Sequence, residues 1–451
     1  MMSELAMSVM ATSDSPARVT AEQRPVWSAG LRVAFRFFFS YFLLYGFPFP
    51  IDRIPIISEV VDRIYYQPWM AIAASLGERL LGHPLLTMEN GESDRRIDFV
   101  QVFLILIVAV LISAIWSLAD RRRTAYVELL AALRVYVRYM LVFPLFVYAA
   151  VKIVKIQFPD PEPDALMQMY GDSQPGRLLW MFLGHSYAYC AFIGGAELLA
   201  GLLLCFRRTT TLGALIASAT LLNVVLVNVF FNVGVKLWSS NLLVMSVFLV
   251  AVDARRLTHL LMPGRAAPST LSGASSAWPP SFDRWLEKRW RRGALAASKV
   301  LVIALAGAAA VKPVLKYRKP PPPELFGIYD VESFTRNGEL EPLTITDARR
   351  WRGAIVNTYG QLTIRFMDDS TIRYRMKTDD AKRTIALSTW DGDTSKKALL
   401  GYSRDDADRL TLEGPYGGDK LQVRLHKIER RFRLVDDRLR LFFDGPVESK
   451  R

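Results

Sequence analysis

An acid stands in the middle of an apolar run. Leu178–Phe206 is long enough to cross a bilayer, and Glu197 lies inside its stretch Phe192-Ile-Gly-Gly-Ala-Glu-Leu-Leu-Ala-Gly201. A carboxylate at membrane depth costs several kcal/mol unless it is paired, so it marks a functional site by default. Ser186, Cys190, Gly194, Glu197 and Gly201 follow at spacings of four, four, three and four. That spacing predicts one small, polar stripe on a helix. Small residues let a second helix approach closely, so Glu197 is expected between helices. Arg138 in the third apolar run is its expected charge partner. Thr220 and Asn223 in the fifth run complete a candidate buried polar site. Two readings stay open. The carboxylate relays protons, or the polar groups only hold helices together at about 0.6–2 kcal/mol per hydrogen bond.

A second polar set is predicted nearer one membrane face. Asn228, Asn232 and Lys236 fall at i, i+4 and i+8. Lys152 and Gln157 end the third run, and His185 precedes Tyr189 by one turn in the fourth. Such a mouth suits a quinone headgroup or another amphipathic ligand, whose carbonyls need Lys, Asn or His donors. Its alternative is that Lys152 and Lys236 snorkel to the interface. No cofactor is required by the residues, and quinone is the one they suit. No metal site is expected, because His83, His185, His259 and His426 have no ligand spacing. Cys190 and Cys205 share one predicted helix about 22 Å apart and cannot bridge. Cys190 reads as a small buried residue.

These residues must be positioned by membrane helices. The chain has 451 residues, 51% hydrophobic, with a formal net charge of +14. The basic residues flank apolar runs, where they act as topology signals and not as a nucleic-acid surface. Spans are predicted near 31–51, 98–118, 133–157, 178–206, 209–235, 239–254 and 297–317. Arg121–Arg123, Arg207-Arg208 and Arg255-Arg256 mark the cytoplasmic side, together with a cytoplasmic N-terminus. Pro159–Gly176, with four acids and no Lys or Arg, falls on the other side. No cleavable signal segment is expected. Pro68–Leu81 reads as an amphipathic stretch in an external loop, against the membrane or over the bundle mouth. Phe282–Arg292 reads as a helix on the membrane surface.

After Lys319-Pro-Pro-Pro-Pro the period switches to two. Leu362, Ile364 and Phe366 answer Ile372, Tyr374 and Met376. Leu410 and Leu412 answer Leu421, Val423 and Leu425. A last hairpin is expected from Phe432 and Leu434 to Leu439, Leu441 and Phe443. Successive hairpins predict an antiparallel meander closing into an up-and-down barrel, with a β-sandwich as the alternative. Trp351, Trp390 and Tyr402 are expected as core or rim aromatics. The fold class is thus multi-domain: an α-helical transmembrane bundle of about seven spans, then an antiparallel all-β domain. The expected organisation is a cytoplasmic tail (1–30), two additional transmembrane helices with an external loop (31–131) and a four-helix membrane domain (132–257). A cytoplasmic linker with an interfacial helix (258–296), a seventh helix (297–318), a proline-rich spacer (319–326) and the β domain (327–447) follow.

The four-helix unit resembles the DoxX family of bacterial membrane proteins. The carrying residues are Tyr148-Ala-Ala-Val-Lys152 with Gln157-Phe-Pro, Gly194-Gly-Ala-Glu197-Leu-Leu-Ala-Gly201 and Arg207-Arg-Thr-Thr-Thr-Leu-Gly213. They continue with Asn223-Val-Val-Leu-Val-Asn228 and Asn232-Val-Gly-Val-Lys236. Relatives often carry Gly at Ala149 and Asp at Asn232. Gly327-Ile-Tyr329 resembles the first strand of lipocalin-like barrels. The DoxX resemblance implies a four-helix core in the bacterial inner membrane, and a subunit of a redox or envelope complex. Three functions are therefore expected alternatives: an accessory subunit with a periplasmic β domain, a quinone-interacting oxidoreductase subunit using Glu197 as proton relay, and a membrane-anchored lipid or small-molecule binder. The lipid bilayer and a membrane redox-complex partner are the expected contacts, with no nucleic acid.

Overall fold

A computed structural model describes residues 26–82, 94–254, 257–258, 289–317, 319–342, 344, 347, 349–389 and 397–436. The linker, Trp390 and most of Phe282–Arg292 lie outside the described residues. The chain divides into two compact units: residues up to Leu141 with Val244–Val302, and Val142–Leu243 with the residues from Ile303 onward.

Among the described residues six helices are long and apolar enough to cross a membrane, and the chain is a multi-pass membrane protein. In the first unit α1 (Ala29–Gly46), α2 (Pro55–Val61), α3 (Gln67–Leu81) and α4 (Arg96–Ala119) follow one another. The apolar run of α1 extends to Arg53. α5 (Val127–Ile153) begins in this unit, and Pro144 lies inside it. α1 and α4 run antiparallel. Trp27 N–H donates to the Thr124 carbonyl at 3.0 Å, and further along Arg36 donates to Ser117 Oγ at 2.9 Å and to the Asp120 carbonyl at 2.8 Å. Arg36 also donates to the Tyr126 hydroxyl at 2.6 and 3.0 Å. That hydroxyl in turn donates to Asp120 Oδ2 at 2.9 Å. Each of the three nitrogens of this buried guanidinium is thus engaged, which offsets the cost of its burial.

In the second unit the fourth apolar run is not one helix. A short α6 (Pro163–Leu166) lies in the loop before it, and the run itself folds as α7 (Pro175–His185) and α8 (Tyr187–Cys205). Ser186 leaves the helical region and caps α8, its side chain accepting from Tyr189 N–H. α9 (Thr210–Phe230) follows in this unit; α10 (Lys236–Val252), with 17 residues and short for a span, is divided between the two units at Leu243. The last long helix, α11 (Arg289–Lys316), is likewise divided between the units, at Val302.

The β domain closes into a barrel. Its strands are β1 (Gly327–Arg336), β2 (Glu339–Leu340), β3 (Trp351–Val356), β4 (Gln361–Phe366), β5 (Thr371–Asp379), β6 (Thr384–Ser388), β7 (Ala398–Arg404), β8 (Arg409–Tyr416) and β9 (Asp419–Ile428). Every neighbouring pair is antiparallel, and β1 pairs with β9 from Ile328↔Ile428 to Arg336↔Leu421, so eight strands form the ring and β2 is a short hairpin on β1. Eight strands leave an interior just wide enough for side chains. The alternating residues fill it: Phe334, Trp351, Ile364, Tyr374, Leu412 and Val423 belong to one contiguous apolar core. Tyr402 is also in that core, its hydroxyl donating to Asp380 at 2.9 Å. Tyr329 is buried at the barrel base and donates to the Leu325 carbonyl at 3.0 Å. Of the last expected hairpin, the first half is not a strand: Arg433–Asp436 is a short helix, α12, and residues 437–443 lie outside the described residues. The ring is closed by the pairing of β9 with β1.

The closing seam carries a charge. Asp419 accepts from Asn337 Nδ2 at 2.8 Å and pairs with Arg336 at 3.1 Å. The Asn337 amide, and then Arg336, hold its carboxyl below the usual carboxylate range. Its folded value is depressed, so its contribution is complete above the unfolded value and is lost as pH falls through the folded one. Hydrogen-exchange protection of β1 and β9 in the full chain should therefore weaken below about pH 4, and Asn337→Ala should flatten that dependence. Separately, Phe334→Ala should destabilise the barrel by about 3–5 kcal/mol, seen as faster proteolysis within residues 327–428 while the helical segments resist.

Candidate functional site: an ion pair between membrane helices

Glu197 lies near the middle of α8, about 15 Å along its axis from Tyr187. Only 3% of its surface is exposed. Its partner is Lys152. The ammonium donates to both carboxylate oxygens at 2.7 Å, and Lys152 is itself buried. The ammonium also lies 5.3 Å from the centre of the Tyr148 ring, a favourable cation–π contact. Lys152 sits in the last turn of α5, where a cation also favours the helix dipole.

Glycine makes the approach. A Cβ on Gly194 would lie 2.9 Å from Ile153 Cγ1 and 3.0 Å from both the Ala149 carbonyl oxygen and Lys152 Cβ. A Cβ on Gly201 would lie 2.8 Å from the Phe146 ring. The small stripe of α8 therefore presses on α5, and Glu197 meets Lys152 between those two close contacts.

This corrects the sequence reading in two respects. The expected partner, Arg138, is not the one that neutralises Glu197, because both carboxylate oxygens are already taken by Lys152. Arg138 is buried and stacks over the ring of Tyr139 at 5.5 Å. Lys152 in turn is no snorkelling residue of an outer mouth. Arg138 and Lys152 are fourteen residues apart on α5, about 21 Å along its axis, and it is the end of α5 that meets the middle of α8.

The other expected site residues disperse. Thr220 donates back to the Ile216 carbonyl at 2.8 Å, and Asn223 is exposed on α9. The row from Asn228 to Lys236 is not one helix face, since α9 ends at Phe230 and Asn232 turns with φ 51°. Asn228 is buried and donates to Ser239 Oγ at 3.1 Å. Lys236 donates to Asn232 Oδ1 at 3.2 Å. Gln157 Oε1 is buried with no hydrogen-bond partner among the described residues. His185 Nδ1 lies 2.6 Å from the Leu434 carbonyl, ready to donate to it. Cys190 donates its thiol to the Leu183 carbonyl at 2.9 Å across the helix break, a packing role.

Sequence reasoning missed several polar contacts. Asp253, at the end of α10, is buried and pairs with Arg134 at 2.8 Å. The acidic loop 159–176, expected only as a topology signal, grips the barrel. Glu162 Oε2 accepts from Thr358 N–H at 3.0 Å, Asp164 Oδ1 from Asn357 Nδ2 at 3.4 Å and Gln168 Oε1 from Arg373 at 3.4 Å. Arg177 pairs with Asp164 at 3.0 Å. The burial of Arg373 pulls its guanidinium below the usual value. Only the density of acids in that loop was legible as a hint.

Fold and site together define a multi-pass membrane protein with a neutralised charge pair between its helices and a closed β barrel. No family profile and no solved structure matches the chain. The uncharacterized protein YwoB of Bacillus subtilis (strain 168) is 37% identical over 122 residues, which are 26% of this chain and 75% of YwoB. The chain belongs to the family of that protein.

Removing one member of the pair leaves an unpaired buried charge, at about 3–5 kcal/mol. Lys152→Met and Glu197→Leu should each lower the melting temperature in detergent. The double variant should recover most of that loss, because two apolar side chains leave no charge behind. A double variant as unstable as the singles would show that the pair is not held together by mutual neutralisation.

Proposed function

We propose that the chain is a DoxX-type accessory subunit of a redox or envelope complex in a bacterial inner membrane. Its N-terminus is cytoplasmic, and its barrel is periplasmic and offers its outer surface to a partner. The observation that carries this reading is the saturation of Glu197 by one ammonium beside two glycine contacts. A carboxylate held that way fastens helices together. A proton relay would require Lys152 to release an oxygen in each cycle. The apolar core that fills the barrel supports recognition from outside over storage of a lipid within. The grip of the acidic loop on the barrel supports one side for both, and that loop lies opposite the basic turns.

Purification of the full chain under mild detergent tests the role. The expected result is a co-eluting membrane protein and no stoichiometric quinone. A lone chain carrying quinone, with quinol-dependent activity lost in Glu197→Gln, would replace this reading with the proton-relay subunit. Side is tested by Ser370→Cys, in an exposed turn of the barrel, on a Cys205→Ala background. A membrane-impermeant thiol reagent should label it in intact spheroplasts, and labelling only after lysis would place the barrel in the cytoplasm.

A further inference from the structure

One outer face of the barrel is covered by the chain's own loop. Ile328, Ile355, Thr363 and Arg373 stand opposite one another in register across β1, β3, β4 and β5. Their strand neighbours Tyr329, Ala354, Ile364 and Tyr374 belong to the barrel core, so by alternation this row points outward. It is nevertheless buried: Ile328, Ile355 and Thr363 are 7%, 2% and 4% exposed, and Arg373 is half-buried. α6 packs on β3 there, while Glu162, Asp164 and Gln168 reach Thr358, Asn357 and Arg373.

The cover has the form of a bound peptide. Pro159, Pro161 and Pro163 alternate with Asp160, Glu162 and Asp164. Glu162 has φ −80° and ψ 158°, close to polyproline values. A segment stiffened by proline loses little entropy on docking, which is how proline-rich ligands meet their grooves. The fit is incomplete at one end. Among the described residues the Arg373 guanidinium bonds only to the Gln168 amide oxygen, at 3.4 Å. Asp164 is near enough to be felt by Arg373, but its oxygens serve Asn357 at 3.4 Å and Arg177 at 3.0 Å. Thr363, paired opposite Arg373, has its Oγ1 buried with no hydrogen-bond partner among the described residues. A guanidinium and an unmet hydroxyl side by side suit a carboxylate, whose bond to a guanidinium is about twice as strong as a neutral one.

Building on the accessory-subunit reading, we propose that this row is a docking face for an acidic, extended segment of a partner protein, held closed in cis by loop 159–176. The incoming segment replaces the loop on Ile328 and Ile355. It sets a carboxylate on Arg373 and Thr363, where Gln168 now offers an amide. Tethering gives the loop an effective concentration on the order of millimolar, so the stronger bond to Arg373 is what lets a separate chain compete.

Two peptides with the sequence of residues 159–176, one unchanged and one with Gln168→Glu, test this against the full chain in detergent. Fluorescence anisotropy should show severalfold tighter binding of the Gln168→Glu peptide, and Arg373→Ala in the chain should erase the difference. Hydrogen exchange in the chain's own residues 162–168 should speed up as the peptide binds. If Arg373→Ala does not fold, the two peptides on the parent chain decide alone. No binding at millimolar peptide, even to a chain whose clasp is weakened by Asp164→Asn, overturns the inference. So does equal binding of the two peptides, or binding that leaves the loop's exchange unchanged. A crosslink between the loop of one copy and the barrel of another, unaffected by peptide, overturns it too, because a second copy is then the occupant. Co-elution of a membrane protein is independent of these outcomes: a partner that co-elutes while neither peptide binds meets another surface.

Discussion

A charge in hydrocarbon demands a partner, and the helices of the second unit are arranged around that demand. Glu197 could be neutralised only if another helix came within side-chain reach at the same depth. Gly194 and Gly201 provide the reach, since a larger residue at either would collide with α5. Lys152 provides the charge, and its place in the last turn of α5 sets how far along α8 the two helices meet. Ser186 divides the run into α7 and α8, and α8 carries the contact with α5. A pair so satisfied is more specific than stabilising: apolar residues of equal size would pack about as well, but would not fix which helix meets which.

The same rule, that buried polar groups must be matched, governs the rest of the chain. Arg36 is held by Tyr126, Ser117 and the Asp120 carbonyl, and Asp253 by Arg134. In each case a residue near the end of an apolar run finds its partner on an element distant in sequence. Outside the membrane, the loop after α5 matches its acids and amide to Thr358, Asn357 and Arg373 of the barrel. The barrel is therefore more than a tethered bead on a proline spacer. Polar contacts from the membrane domain's own loop hold it, and its closed ring leaves no free edge to pair with other chains.

What the amino-acid sequence determined by itself is what depends on local pattern. Apolar runs of sufficient length gave the membrane helices, and the period of two after Lys319 gave the barrel hairpins, because both follow from burying side chains at a helical or strand spacing. The depth of Glu197 and its need for shielding were equally legible, since cost in hydrocarbon depends on the residue and its immediate neighbours. Tertiary structure alone decided the partner. Arg138 and Lys152 lie on the same helix, about 21 Å apart along its axis, and which of them reaches Glu197 depends on where α5 comes to rest against α8. It also decided that the row from Asn228 to Lys236 breaks at Asn232, and that the acids of the loop after α5 bind the barrel. Pairing across distant segments depends on where whole helices come to rest, and the sum of many packing contacts sets that position.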